Sequence, residues 1–100
     1  MLVHSVYFFL KETVSDTEKT EFGKSVESLA TIETVHAFFL GTPAATPDRP
    51  IIEKGYAFGM TILFQSMEDH NIYQDHPIHQ AFIRNNKRLW EKVVIYDAES

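Results

Sequence analysis

Apolar residues crowd both faces of the chain's opening stretch. Read with a period of two, residues 2–10 put Leu2, His4, Val6, Phe8 and Leu10 on one face and Val3, Ser5, Tyr7 and Phe9 on the other. Aromatic and β-branched side chains fill it, so it predicts a strand. The pattern then changes period. Ser15-Asp16-Thr17-Glu18 has the form of a capping box, with Ser15 as the N-cap and Glu18 at N3. Phe22, Val26 and Leu29 follow at i, i+4 and i+7, one buried stripe of a helix running to about residue 30.

A second strand is predicted over residues 35–40 and ends at Gly41. Residues 42–55 hold Pro43, Pro47 and Pro50 and predict a long irregular loop. Alternation returns at residues 56–64, where Tyr56, Phe58, Met60, Ile62 and Phe64 line one face of a third strand. Ser66 with Asp69 caps a short helix through residue 74. Pro77 opens another helix that runs to near residue 90, since proline suits the first helical position, where no N–H is needed. Residues 93–96 form the last strand. The order β-α-β-β-α-(α)-β is the split βαβ pattern of a ferredoxin-like α+β fold in a single domain spanning residues 1–100, with a four-stranded antiparallel sheet and helices on one face. No repeat or linker divides it.

One-sided helices leave a remainder. Tyr7, Phe9, Val35, Ala37 and Phe39 give the far face of the sheet an apolar character too, and a bare apolar face marks an interface. The expectation is a homodimer in which two sheets stack as a barrel; the alternative is a solvated face that happens to be aromatic.

Composition narrows the function classes. Nine basic against 14 acidic residues give a net charge of −5, with no basic run, so neither nucleic acid nor an anionic membrane is an expected partner. No apolar run approaches the roughly 20 residues of a membrane span, and residues 2–10 lack the marks of a signal peptide. A cytoplasmic protein is the default expectation. Cysteine is absent, which excludes disulfides and thiolate chemistry. No nucleotide-binding motif is present, and no cofactor is expected.

Chemistry concentrates in Tyr73-Gln74-Asp75-His76-Pro77-Ile78-His79-Gln80-Ala81-Phe82. With Pro77 at N1, His76 is the N-cap and His79 is N3. The partial positive charge of a helix N-terminus disfavours an imidazolium, which suits His79 to act as a general base. Tyr73 is placed to polarise a carbonyl oxygen. His4 joins them if its strand face meets the helices. Each residue also has a structural reading: His76 as a turn cap, His79 and His4 as satisfied core histidines, and Phe82 and Trp90 as core at helical spacing. No metal site is expected, because His76 and His79 flank a proline and no H-E-x-x-H pattern occurs. His36 and His70 read as surface residues.

With these elements in place, the chain resembles the Dabb family, the stress-responsive dimeric α/β-barrel domains. The resemblance is carried by Val3-His4-Ser5-Val6-Tyr7-Phe8, by Gly55-Tyr56, by His76-Pro77-Ile78-His79-Gln80-Ala81-Phe82, and by Trp90 with Val93-Val94-Ile95-Tyr96-Asp97. It spans nearly the whole chain. It implies a ferredoxin-like monomer and a dimeric barrel, and it implies much less about activity. One branch holds plant polyketide cyclases, which close a poly-keto thioester by intramolecular aldol condensation. The base and helper of that branch match His79 and Tyr73, and its first-strand histidine matches His4. The cyclases carry a histidine where this chain has Phe58 and a tyrosine where it has Val26, so a more apolar pocket is implied.

The expected function is therefore binding of a small apolar or aromatic molecule in a pocket near His79, Tyr73 and His4, with Phe58, His76, Phe82 and Trp90 as further ligand-binding candidates. Acid–base catalysis stays open. The alternatives are a cyclase-like enzyme, with His79 as base and Tyr73 as helper, and a cofactor-free monooxygenase, the latter on architecture alone.

Overall fold

The computed structural model describes residues Met1–Ser100. Strand β1 (Leu2–Leu10) is followed by helix α1 (Asp16–Glu27), strand β2 (Ala37–Gly41), strand β3 (Phe58–Phe64), helices α2 (Met67–Asp75) and α3 (Pro77–Asn86), and strand β4 (Trp90–Glu99). The strands form one antiparallel sheet in the order β2-β3-β1-β4. The ferredoxin-like expectation holds.

Local chemistry sets the helix starts as the sequence implies. Ser15 accepts from the Glu18 N–H while Glu18 accepts from the Ser15 N–H, completing the capping box. Ser66 caps α2 by accepting from the Asp69 N–H at 3.1 Å. The first and last helices end in a tighter turn: Ser28–Thr31 continues α1 and Lys87–Leu89 continues α3 as 3₁₀ helix.

The core lies between the helices and one sheet face. Leu2, Val6 and Phe8 of β1 and Met60, Ile62 and Phe64 of β3 meet Phe22, Val26 and Leu29, all buried. Burying each such side chain stabilises the fold by about 1.5–3 kcal/mol. The aromatic members interlock: Phe22 packs edge-on to Phe8 at 5.2 Å and stacks on Phe82 at 5.9 Å.

Three element boundaries depart from the sequence reading. Val35 precedes β2 and packs against the core, so it does not belong to the open sheet face. Tyr56 lies outside β3. Its ring has crossed to the open face, edge-on to Tyr7 at 5.0 Å and to Phe9 at 6.3 Å. The loop ahead of β3 frees Tyr56 from the alternation that binds Phe58 onward. Strand β4 is longer than the predicted 93–96, because β1 offers it partners all the way from Leu10↔Trp90 to Leu2↔Glu99.

The open face carries Tyr7, Phe9, Tyr56 and Tyr96, with the Lys92 ammonium 4.5 Å from the centre of the Phe9 ring. Phe39 and Tyr96 are 65% and 67% exposed there. Glu53 and Tyr56 of the long loop border this face, and no residue of that loop lines the helical-side cavity where the histidines meet. No helix is long and apolar enough to cross a membrane.

Candidate functional site

The His-Pro-Ile-His turn folds as its residue types dictate. His76 is extended (φ −64°, ψ 140°), as a residue before proline prefers, and it ends α2 while starting α3. Its Nδ1 accepts from the Ile78 N–H at 3.1 Å, and its Nε2 lies 3.4 Å from a Glu33 carboxylate oxygen. Pro77 occupies N1. His79, at N3, faces the opposite way and is only 8% exposed.

Behind it lies a cavity of about 220 Å³ between α2, α3 and the sheet. His79, Tyr73 and His4 all line it, as do Phe82 and Trp90. The ring of Tyr73 sits between the two imidazoles, 4.8 Å from His79 and 6.0 Å from His4. Three elements supply this trio: β1 brings His4, the last turn of α2 brings Tyr73, and the first turn of α3 brings His79. Apolar groups make up most of the remaining wall, including Val6, Leu29, Met60 and Val93. Ile83 and Ile95 also line it and are partly exposed, which places the mouth between α3 and β4.

Phe58 and His76 are not brought to this cavity. Phe58 lies across Gly23, where an added Cβ would come within 3.0 Å of its ring, and packs on Phe22 at 5.9 Å. Gly23 is thus the seat for Phe58, a role that depends on the missing side chain rather than on backbone freedom. His76 borders a separate surface hollow with Glu68, Asn71 and Asp75.

Burial governs the electrostatics. The Tyr73 phenol is completely buried and its pKa is pushed far above the ordinary value of 10 by desolvation, so it stays a neutral O–H donor. Desolvation also lowers the pKa of His79, with repulsion from His4 and His70 adding to it and the Gln74 main chain opposing. The direction is the one the helix-terminus argument gives, and burial is the first cause of it. His4 is lowered for the same first reason, although Asp97 works against it. A neutral His4 therefore meets Asp97 as a hydrogen bond, with Nδ1–H donating to Oδ1 at 2.5 Å.

Three buried polar atoms of cavity-lining residues make no hydrogen bond of normal geometry within the protein: Tyr73 Oη, Trp90 Nε1 and His79 Nδ1, the Gln74 main chain approaching the His79 ring too loosely to count as one. Buried polar groups almost always have one, and leaving one unmade costs about 1–3 kcal/mol. Only Thr34 Oγ1, which is not part of the cavity wall, shares this state.

Sequence reasoning missed Asp97 and His70 as neighbours of His4. Asp97 stood only in the closing part of the family resemblance, and 93 positions separate it from its partner. His70, expected on the surface, is half-buried with its ring 5.1 Å from that of His4. Its position three residues before Tyr73, on the same helical face, was the available signal.

A family model described as stress responsive A/B barrel domain (Dabb) matches residues 2–100. The chain belongs to the Dabb family. Among characterised proteins it is 26% identical to olivetolic acid cyclase of Cannabis sativa over 95 residues, covering 94% of this chain and 91% of that one. Among solved structures it resembles a Dabb protein with a ferredoxin-like fold from Mesorhizobium loti, at TM-score 0.80 and 28% identity, covering 99% of this chain and 95% of that one. It also resembles a dimeric ferredoxin-like protein from Thermobifida fusca, at TM-score 0.79 and 19% identity, covering 99% and 90%. The last likeness is one of fold.

Proposed function

We propose that this Dabb protein is a homodimer whose helical-side cavity binds a small, mostly apolar molecule carrying a hydrogen-bonding end. The unpartnered Tyr73 Oη, His79 Nδ1 and Trp90 Nε1, on residues that line this largely apolar cavity, carry this reading. The volume corresponds to about seven water shares of roughly 30 Å³ each. It falls below the roughly 300–1,000 Å³ of drug-sized sites, so the ligand is compact.

His79 and Tyr73 together support acid–base chemistry as a second reading. A neutral His79 can take a proton from a carbon flanked by two carbonyls while the Tyr73 O–H steadies the resulting enolate oxygen. The 4.8 Å ring contact of these residues and the likeness to olivetolic acid cyclase favour it. Phe58 and Val26, where the cyclases carry polar groups, lie outside the cavity wall, so any substrate is held chiefly by apolar contact.

The dimer reading rests on the open sheet face, where Tyr7, Phe9, Phe39 and Tyr96 present aromatic surface without helices over it. Light scattering coupled to gel filtration is expected to give twice the chain mass, and Tyr96→Glu is expected to shift it toward monomer. A monomeric wild type would remove the dimer.

A thermal-shift screen tests the cavity, with wild type, His79→Ala and Tyr73→Phe set against β-keto acids, phenols and aromatic acids. A ligand at a hundred times its Kd adds about 2.7 kcal/mol, worth roughly 4–8 °C for each kcal/mol in a domain of this size. The expected result is a hit in the wild type that both variants weaken. Equal shifts in all three proteins would place the ligand elsewhere. Incubating the hit with enzyme and following product then separates binding from turnover.

A further inference from the structure

A second cluster of side chains meets where β1, β4 and α2 converge. Asp97 is the cross-strand partner of His4 in the β1–β4 register, so the two side chains leave the same face of the sheet. His70 descends from α2 and sets its ring edge-on to His4, 5.1 Å away. One donor atom from each of the three residues lies within 4.8 Å of the other two. We propose that His4, His70 and Asp97 form a binding site for a divalent transition-metal ion, with water completing the coordination.

The donor chemistry selects the class of ion. Two imidazoles and one carboxylate suit zinc, cobalt, nickel or copper, whereas magnesium and calcium call for oxygen donors. Bond lengths of about 2.0–2.2 Å place tetrahedral donors about 3.3 Å apart. The His4–Asp97 contact at 2.5 Å must open toward that spacing, and His70 must close toward it. The residues that have to turn are those free to do so. The Asp97 side chain is 46% exposed. His70 is half-buried; its ring bonds only neighbours on its own helix, Asn71 at 3.1 Å and Gln74 at 3.4 Å, and lies edge-on to Phe64 at 5.5 Å. His4, which is 2% exposed and paired with Ile62 on one side and Asp97 on the other, supplies the fixed point.

Packing gives the cation a further reason. Two imidazoles in edge contact repel each other when protonated, which is one of the causes holding His4 low. A shared metal ion uses their lone pairs instead and is neutralised in part by Asp97. The chain offers these donors without any linear metal motif, because residues 4, 70 and 97 become neighbours only through the sheet register and the seating of α2.

Chelator-stripped protein titrated with cobalt(II), read by its visible absorption, and with zinc, read by calorimetry, tests the site. Saturation at about one ion per chain is expected, with a raised Tm. His70→Ala and Asp97→Asn should each weaken binding by at least the roughly 10–100-fold that loss of a supporting residue costs. His36→Ala, at an exposed histidine elsewhere, should change nothing. His70 does not line the cavity, and no cavity ligand enters the measurement, so the outcome is independent of the small-molecule reading. Absence of saturable binding overturns the proposal, as does binding that His70→Ala leaves unchanged.

Discussion

His76 and His79 stand on either side of the same proline and a single isoleucine, yet they meet opposite environments. His76 precedes the first helical turn, and its ring folds back onto the Ile78 N–H with Glu33 nearby. His79 lies within that turn, and the helix rotates its ring inward against Tyr73. About 100° of helical rotation per residue is enough to send one imidazole to a backbone donor and the other into a cavity. The pair shows that a two-histidine motif need not be one site. One member builds the helix start that aims the other.

That division can be broken by experiment, and acidification should have the largest effect. His79 and His4 both have pKa values below the ordinary histidine value of 6.5, mainly through burial. The unfolded chain therefore binds more protons than the folded one in the window below 6.5. Their stabilising contribution is complete above 6.5 and is lost as the pH falls through their folded values. Melting temperature followed from pH 8 to pH 5 should decline across that window. His79→Gln should flatten the decline. A pH-independent Tm would show that neither buried imidazole is held neutral by the fold.

Truncation separates the two residues at neutral pH. His79→Ala removes a buried ring and is expected to cost about 2 kcal/mol in urea unfolding. His76→Ala removes an N-cap acceptor and should cost about 1 kcal/mol, with ligand response intact. Equal losses of ligand response in both variants would merge the two roles. The smallest effect belongs to Tyr73→Phe. Its hydroxyl has no partner in the protein, so removing it should cost no stability and is expected to give a gain of up to about 1 kcal/mol. A clear loss of stability would mean that the hydroxyl is satisfied in solution, and the cavity reading would lose one of its three orphan atoms.

Much of this was readable along the chain. The capping box at Ser15, the Ser66 cap, Pro77 at N1 and the Phe22-Val26-Leu29 stripe are local rules, each acting within one or two turns. The alternation of β1 and β3 placed His4 on the helical face for the same reason. Boundaries were less legible where neighbours decide. Trp90 joins β4 because Leu10 lies beside it, and Tyr56 leaves the β3 alternation because a loop residue can follow the aromatic surface of Tyr7 and Phe9 instead.

The candidate site divides in the same way. Tyr73 and His79 lie six positions apart, and the helix-proline-helix sequence alone brings their segment together. The sequence by itself therefore determined the element order, the fold class and the chemical identity of the cavity's polar groups. Only the tertiary structure decided which of them share a space. It withdrew Phe58 onto Gly23, turned His76 away toward Glu33, and brought His70 and Asp97 to His4. Local structure follows from hydrogen bonds and sterics within a few residues. Contacts between distant residues depend on strand register and helix seating, which the whole core sets at once.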